Sequence, residues 1–204
     1  MYKFIIVLTS FLLISCANTQ DSSFRPQAIE TKGTYVHSVT STEYPEILAG
    51  FKLVSVTQYN KTGTDIGVAY NYFSDTTPVA LTVYSYPAPD FISIGSPDDV
   101  VEGMRFQLFM NRFNGTKNYI LKNKSNAELT SEGPFDLSQD NLQPPGMVAE
   151  FKYSERFAGE FMDLRSSLYL FQVGESLYKY RITYPETVNV DSQISEFMNQ
   201  LELK

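Results

Sequence analysis

From Gly50 onward, apolar and polar residues alternate in short strand-like runs interrupted by two helical ones. Runs rich in β-branched and aromatic residues suit a pleated, half-buried surface. They predict strands over 51–59, 66–74, 79–86, 118–122, 127–132, 147–155, 164–173 and 177–184, with a short extra one over 34–39. In the last of these, Tyr178, Tyr180, Ile182 and Tyr184 share one face, and Lys179, Arg181 and Thr183 the other. Over 147–153, Met147, Ala149, Phe151 and Tyr153 oppose Val148, Glu150 and Lys152. A period of two with one dry and one partly wet face is the pattern of an antiparallel sheet. Between the last two runs, Gly174-Glu175 fits a two-residue type II′ hairpin turn, which takes glycine first.

The first helical run opens with Ser96 as a cap, Pro97 at the first helical position and Asp98-Asp99 at the positive end of the dipole. It is expected to stop near Phe113, at Asn114-Gly115. Two apolar stripes lie along it: Val100, Val101, Met104 and Leu108 on one side, Phe106, Phe109, Met110 and Phe113 on the other. A single buried face needs only one. The Phe/Met stripe is therefore either covered by the Pro-rich loop 133–146, through Phe135, Leu137 and Leu142, or exposed as a contact for a partner or lipid. The second run spans about 190–201, with Val190, Ile194, Phe197 and Leu201 at helical spacing, and should lie across the apolar sheet face. The fold class that follows is α+β: an antiparallel sheet of about six to eight strands flanked by two main helices, about 97–113 and 190–201.

The N-terminus has a different pattern. Lys3 is followed by an uncharged stretch from Phe4 to Ile14, shorter than the roughly 20 residues a bilayer crossing needs, so it reads as a secretory signal. Leu13-Ile14-Ser15-Cys16 resembles the lipobox of bacterial lipoproteins. The resemblance implies that Cys16, the chain's one cysteine, is lipidated, that the chain is cut before it, and that the new amino terminus is acylated. Two or more acyl chains hold a protein stably at a membrane. Ala17 after the cysteine implies the outer membrane, facing the periplasm. The organisation expected is a signal over 1–15, a flexible tether over 16–33 and one domain over 34–204. Three Asn-x-Ser/Thr tripeptides, at Asn60, Asn114 and Asn123, match the glycosylation pattern, which is short enough to recur by chance.

Strands, a helix, further strands and a closing amphipathic helix, from about Gly50 to Leu203, resemble the PsbP-like fold of photosystem II extrinsic subunits and small bacterial lipoproteins. That resemblance implies a non-catalytic binding or assembly role and brings no functional residue with it.

Composition narrows the classes. With 43% hydrophobic and 14% aromatic residues the chain has the apolar surface for a core. Its net charge of −7, without a basic stripe, argues against nucleic acid and against electrostatic attachment to anionic lipid. His37, the one histidine, is expected at a strand edge on the surface. No phosphate loop or Gly-x-Ser-x-Gly elbow occurs. Asp98-Asp99 are read as helix-start acids, and Asp136 and Asp140 as solvated loop acids. Glu150, Lys152, Lys179 and Arg181, joined by Arg165, form either a salt-bridged wet face or a ligand site. No cofactor, metal or catalytic residue is expected. The reading is a lipid-anchored, non-enzymatic binding or assembly module with a protein partner. The alternatives are a carrier or sensor of a hydrophobic small molecule, in a pocket lined by Tyr178, Tyr180, Phe109 and Phe113, and a carboxylate-dependent hydrolase.

Overall fold

The computed structural model describes residues 24–72, 78–91, 94–137 and 146–204. Among the described residues eleven strands and two helices follow one another: β1 (Gln27–Ile29), β2 (Tyr35–Val36), β3 (Glu43–Tyr44), β4 (Ile47–Leu48), β5 (Phe51–Gln58), β6 (Ile66–Tyr72), β7 (Ala80–Pro87), α1 (Asp98–Asn123), β8 (Glu128–Phe135), β9 (Gly146–Phe157), β10 (Glu160–Val173), β11 (Ser176–Pro185) and α2 (Asp191–Gln200). Nine strands make one sheet, ordered β1-β5-β6-β7-β11-β10-β9-β8 with β4 beside β5, while β2 and β3 pair separately. Every pairing is antiparallel. The class is α+β, with more strands than the sequence pattern predicts.

The sheet is two meanders joined along β7 and β11, and α1 carries the chain from the central β7 to the far edge at β8. That crossing spans four inter-strand gaps, about 19 Å. The 26 residues of α1 reach about 39 Å. The helix is thus longer than its connection requires.

Each face of the sheet is dry over a different half. On one, Phe51, Val56, Ile66, Val68, Leu81 and Val83 meet Tyr178, Tyr180 and Ile182 beneath Ile194, Phe197, Met198 and Leu201 of α2. Phe197 sits edge-on to Phe51 and Tyr70, with ring centroids 5.3 and 4.9 Å away. On the other, Ala149, Phe151, Tyr153, Leu164, Leu168, Leu170 and Leu177 lie under Phe109, Phe113 and Ile120 of α1. Helix α2 lies where its spacing predicts.

Tight turns set the register. Val173 pairs with Ser176, leaving Gly174-Glu175 as the loop with Gly174 at φ +54, as the sequence predicts. Ala158-Gly159 and Ala49-Gly50 close two more two-residue hairpins with positive φ at both positions, a geometry that favours Asn or Gly first. Gly146 is required for packing, because a Cβ there would meet the Phe171 ring at 2.3 Å.

Several expectations are corrected. Residues 118–122 are helix, not strand: Ile120 lies two turns beyond Phe113 and continues its buried stripe, so α1 runs through Asn114-Gly115 to Asn123. Pro97, not Ser96, is the N-cap, with no side-chain capping bond. The tether is structured at its far end, where Gln27–Ile29 pairs with Val56–Gln58 of β5. Of the loop 133–146, Phe135 and Leu137 pack on the α2 side rather than against α1, and Leu142 lies outside the described residues. At the opposite edge, β8 carries Glu128, Glu132, Pro134 and a register shift between Leu129 and Ser131.

Candidate functional site

The Phe/Met stripe of α1 divides along its length. Phe109 and Phe113 are fully buried against the sheet and Met110 is half-buried, whereas Phe106 is 54% exposed. Of the first ten helical residues only Val101 is even partly buried. Val100 and Met104 stand in solvent on the other side of the helix from Phe106. No residue of this N-terminal arm, about 15 Å long, belongs to either hydrophobic cluster of the described residues. Its charges are Asp98, Asp99, Glu102 and Arg105, all exposed. Ion pairs Lys117–Glu132 and Lys124–Glu155, both at 2.6 Å, hold the rest of the helix over β8 and β9.

The ionic residues expected together are not brought together. Glu150 pairs with Ser167, and Ser167 with Ile182, so Glu150 and Lys152 share the face of Ile182 and α2. Lys179 and Arg181 alternate with Ile182 and point to the α1 face. The same geometry removes the pocket drawn from Tyr178, Tyr180, Phe109 and Phe113, because the sheet separates the two tyrosines from the two phenylalanines.

Glu150 and Lys152 instead line a hollow beside α2 and Lys179 one beside α1, while Arg181 donates to Ser166 Oγ at 3.0 Å. The α2-side hollow, about 580 Å³, includes Asp136, Glu150, Lys152, Arg165, Tyr184 and Asp191. Its charges are close to balanced and partly satisfied: Lys152 pairs with Glu186, Ser131 donates to Glu150 at 2.8 Å, and Tyr184 donates to Asp191 at 3.1 Å. Burial, reinforced by Asp191, pushes the Tyr184 hydroxyl up to about 12.

The α1-side hollow, about 650 Å³, lies where α1 leaves the face of β6 and β7 uncovered, and Phe24 and Pro26 of the N-terminal segment wall it. Lys179 stands opposite Tyr84 across the β7–β11 ladder. Its Nζ is 4.2 Å from the Tyr84 ring centroid and 5.5 Å from that of Tyr86. The other walls include Tyr59, Asp65, Arg112 and Tyr119. Gly67 makes this floor possible: a Cβ there would approach the Tyr59 ring at 3.0 Å and the Tyr84 ring at 3.1 Å. Burial pulls the Lys179 ammonium down to about 8, with Arg181 and Arg112 adding and Asp65 opposing. Burial also raises the Asp65 carboxyl, against Lys179 and Arg112. Neither Lys179 nor Arg112 has an ion-pair partner within 4.0 Å among the described residues.

Tyr59, Tyr84, Tyr86, Asp65 and Arg112 escape a reading of the sequence. The alternation of Tyr84 and Tyr86 is visible in it, but their meeting with Lys179 depends on a long-range register. His37 is fully buried, not on the surface. Its Nε2 is 2.9 Å from the Gly63 carbonyl and its Nδ1 3.0 Å from Thr40 Oγ1, so both nitrogens serve the local fold. Asp98, Asp99 and Asp136 are exposed. Cys16 and Asp140 lie outside the described residues. Among those residues no group of three or more His, Cys, Asp or Glu is placed to hold a metal ion, and no helix is long and apolar enough to cross a membrane. No family model matches the chain, and no curated protein matches it either.

Proposed function

We propose that this chain is a lipid-anchored, non-catalytic binding or assembly module, held through Cys16 at a bacterial membrane, the outer one by the residue after the cysteine, and facing the periplasm. Its scaffold is a PsbP-like sandwich, a reading supported by an antiparallel sheet with one helix on each face. The observation that carries the binding role is the α1 arm, where Val100, Met104 and Phe106 are exposed on a stretch of helix that joins neither hydrophobic cluster of the described residues. A bare helical extension of this length would be marginal in isolation, and it is held in register here by the packed turns that follow. Exposed apolar side chains on a preorganised helix suit insertion into a groove of a partner. Asp98, Asp99 and Glu102 against the single Arg105 favour a protein partner over an anionic lipid surface.

The test is recovery of partners from solubilised membranes with the triple variant Val100→Ser, Met104→Ser, Phe106→Ser. The melting temperature should stay within about 2 °C, since exposed apolar groups contribute little to folding, while the bound protein is lost. Undiminished recovery removes the arm from the interface. For the anchor, Cys16→Ser should give protein without acyl chains; a wild-type chain whose mature, acyl-free N-terminus lies elsewhere would refute the lipobox reading.

A further inference from the structure

The hollow between α1 and the uncovered half of the sheet is not needed for the anchored module just described. We propose that it is a binding site for a small organic anion with a flat aromatic body, whose charged group lies at Lys179 and Arg112 and whose ring lies among Tyr59, Tyr84, Tyr86 and Tyr119.

Shape and charge support this. At about 650 Å³ the hollow is within the range of small-molecule sites, and the aromatic rings of Phe24, Tyr59, Tyr84, Tyr86 and Tyr119 share its walls with the polar side chains of Asp65, Asn111, Arg112, Thr116 and Lys179. Its charges are two cations, Lys179 and Arg112, against one acid, Asp65, with Arg181 further along the strand face of Lys179. In a chain of net charge −7 this is a local excess of the opposite sign, and a concave wall strengthens it. Lys179 lies against two tyrosine rings rather than a carboxylate. Those rings favour its cationic form and leave the ammonium hydrogens for a guest. Tyrosine faces offer offset or edge-on stacking to a planar group. Gly67 keeps the floor flat at the point where Tyr84 crosses β6.

The charge of Lys179 is also set for loss. Its conjugate acid, near pKa 8, is faced by Arg181 on its own strand, Arg112 and Tyr119 from α1, Asp65 at the start of β6, Tyr59 after β5, and Tyr84 and Tyr86 from β7. An anion that stays ionised should therefore bind best below pH 8 and lose affinity as the pH rises through that value, because the empty site gives up its proton there.

Calorimetric titration of the solubilised full chain with naphthalene-2-sulfonate tests this, beside uncharged naphthalene-2-carboxamide and ring-free methanesulfonate. The aromatic sulfonate should bind at least about tenfold more tightly than either at pH 7, a factor worth 1.4 kcal/mol. Lys179→Gln should weaken it by at least about tenfold and Arg112→Gln by several-fold, while Arg156→Gln on the distant β9–β10 hairpin should not change it. Between pH 7 and 9.5 the wild type should lose several-fold in affinity, and Lys179→Arg, which stays charged, should lose little. Arg112 is exposed on the helix surface, so its variant gives an answer even if substitution at Lys179 disturbs folding. Equal binding of sulfonate and carboxamide, binding of methanesulfonate as tight as that of the aromatic anion, or an affinity unmoved by Arg112→Gln would each overturn the proposal. None of these readouts depends on the arm or its partner.

Discussion

Helix α2, ten residues long, buries Ile194, Phe197 and Met198, and its flanks add Val190 and Leu201. Helix α1, with 26 residues, buries only Phe109, Phe113 and Ile120. The short helix is used almost entirely to close the sheet. The long one closes the other face with its middle and C-terminal turns and projects the rest beyond. A helix that exceeds what its sheet can cover leaves surface that folding does not explain, and that surplus is where binding roles are most economically sought.

The sharpest way to break this contrast is truncation on both helices. Phe197→Ala should cost about 3–5 kcal/mol, since the ring is fully enclosed and leaves a cavity between Phe51 and Tyr70, and Phe113→Ala should cost a similar amount. Phe106→Ala, on the same helix as Phe113, should cost under about 0.5 kcal/mol. Urea midpoints measure all three. A large loss at Phe106 would mean that the arm is packed after all. Next in size is Gly146→Ala, which should lose about 1–3 kcal/mol or more by driving a methyl group into the Phe171 ring.

Smaller effects separate the buried tyrosines on the α2 side. The Tyr178 hydroxyl is 2.8 Å from Thr42 Oγ1 and ties the β2–β3 hairpin to the sheet, whereas the Tyr180 hydroxyl is buried with no protein partner among the described residues. Tyr178→Phe should therefore cost about 1 kcal/mol, while Tyr180→Phe should be neutral or slightly stabilising. Thermal melts that rank the two the other way would contradict this hydrogen-bond assignment. Smallest of all, Ala158→Asn and Ala49→Asn should each gain a few tenths to about 1 kcal/mol, because both alanines hold a left-handed backbone that Asn adopts at less cost.

How much of this is legible in the sequence differs between the same regions. Helix α2 can be read from Val190, Ile194, Phe197 and Leu201 because periodicity and burial coincide there. The far end of α1 cannot, since Tyr119, Ile120 and Leu121 have strand-like character and Asn114-Gly115 looks like a stop. What keeps the helix going is the contact of Ile120 with the sheet, a tertiary fact. The two candidate ionic pairs show a deeper limit. Alternation correctly assigns Glu150 and Lys152 to one side of their strand, and Lys179 and Arg181 to one side of theirs. Whether those two sides coincide depends on the chain of pairings from Glu150 to Ser167 to Ile182, which local pattern does not encode. Burial adds to the difficulty. With a helix on each face, each face is dry over a different half of the sheet, so the polar side of one strand continues into the apolar side of another.

The edge strand β8 bears on how copies of this domain meet one another. Copies brought together in similar orientations, as the proposed anchor would bring them, meet in conditions in which an open row of amides and carbonyls would recruit its neighbour's and seed stacked, insoluble arrays. Glu128 repels a like strand, Pro134 offers it no amide, and the bulge between Leu129 and Ser131 bends the row out of line. Copies crowded together should then stay dispersed rather than join edge to edge.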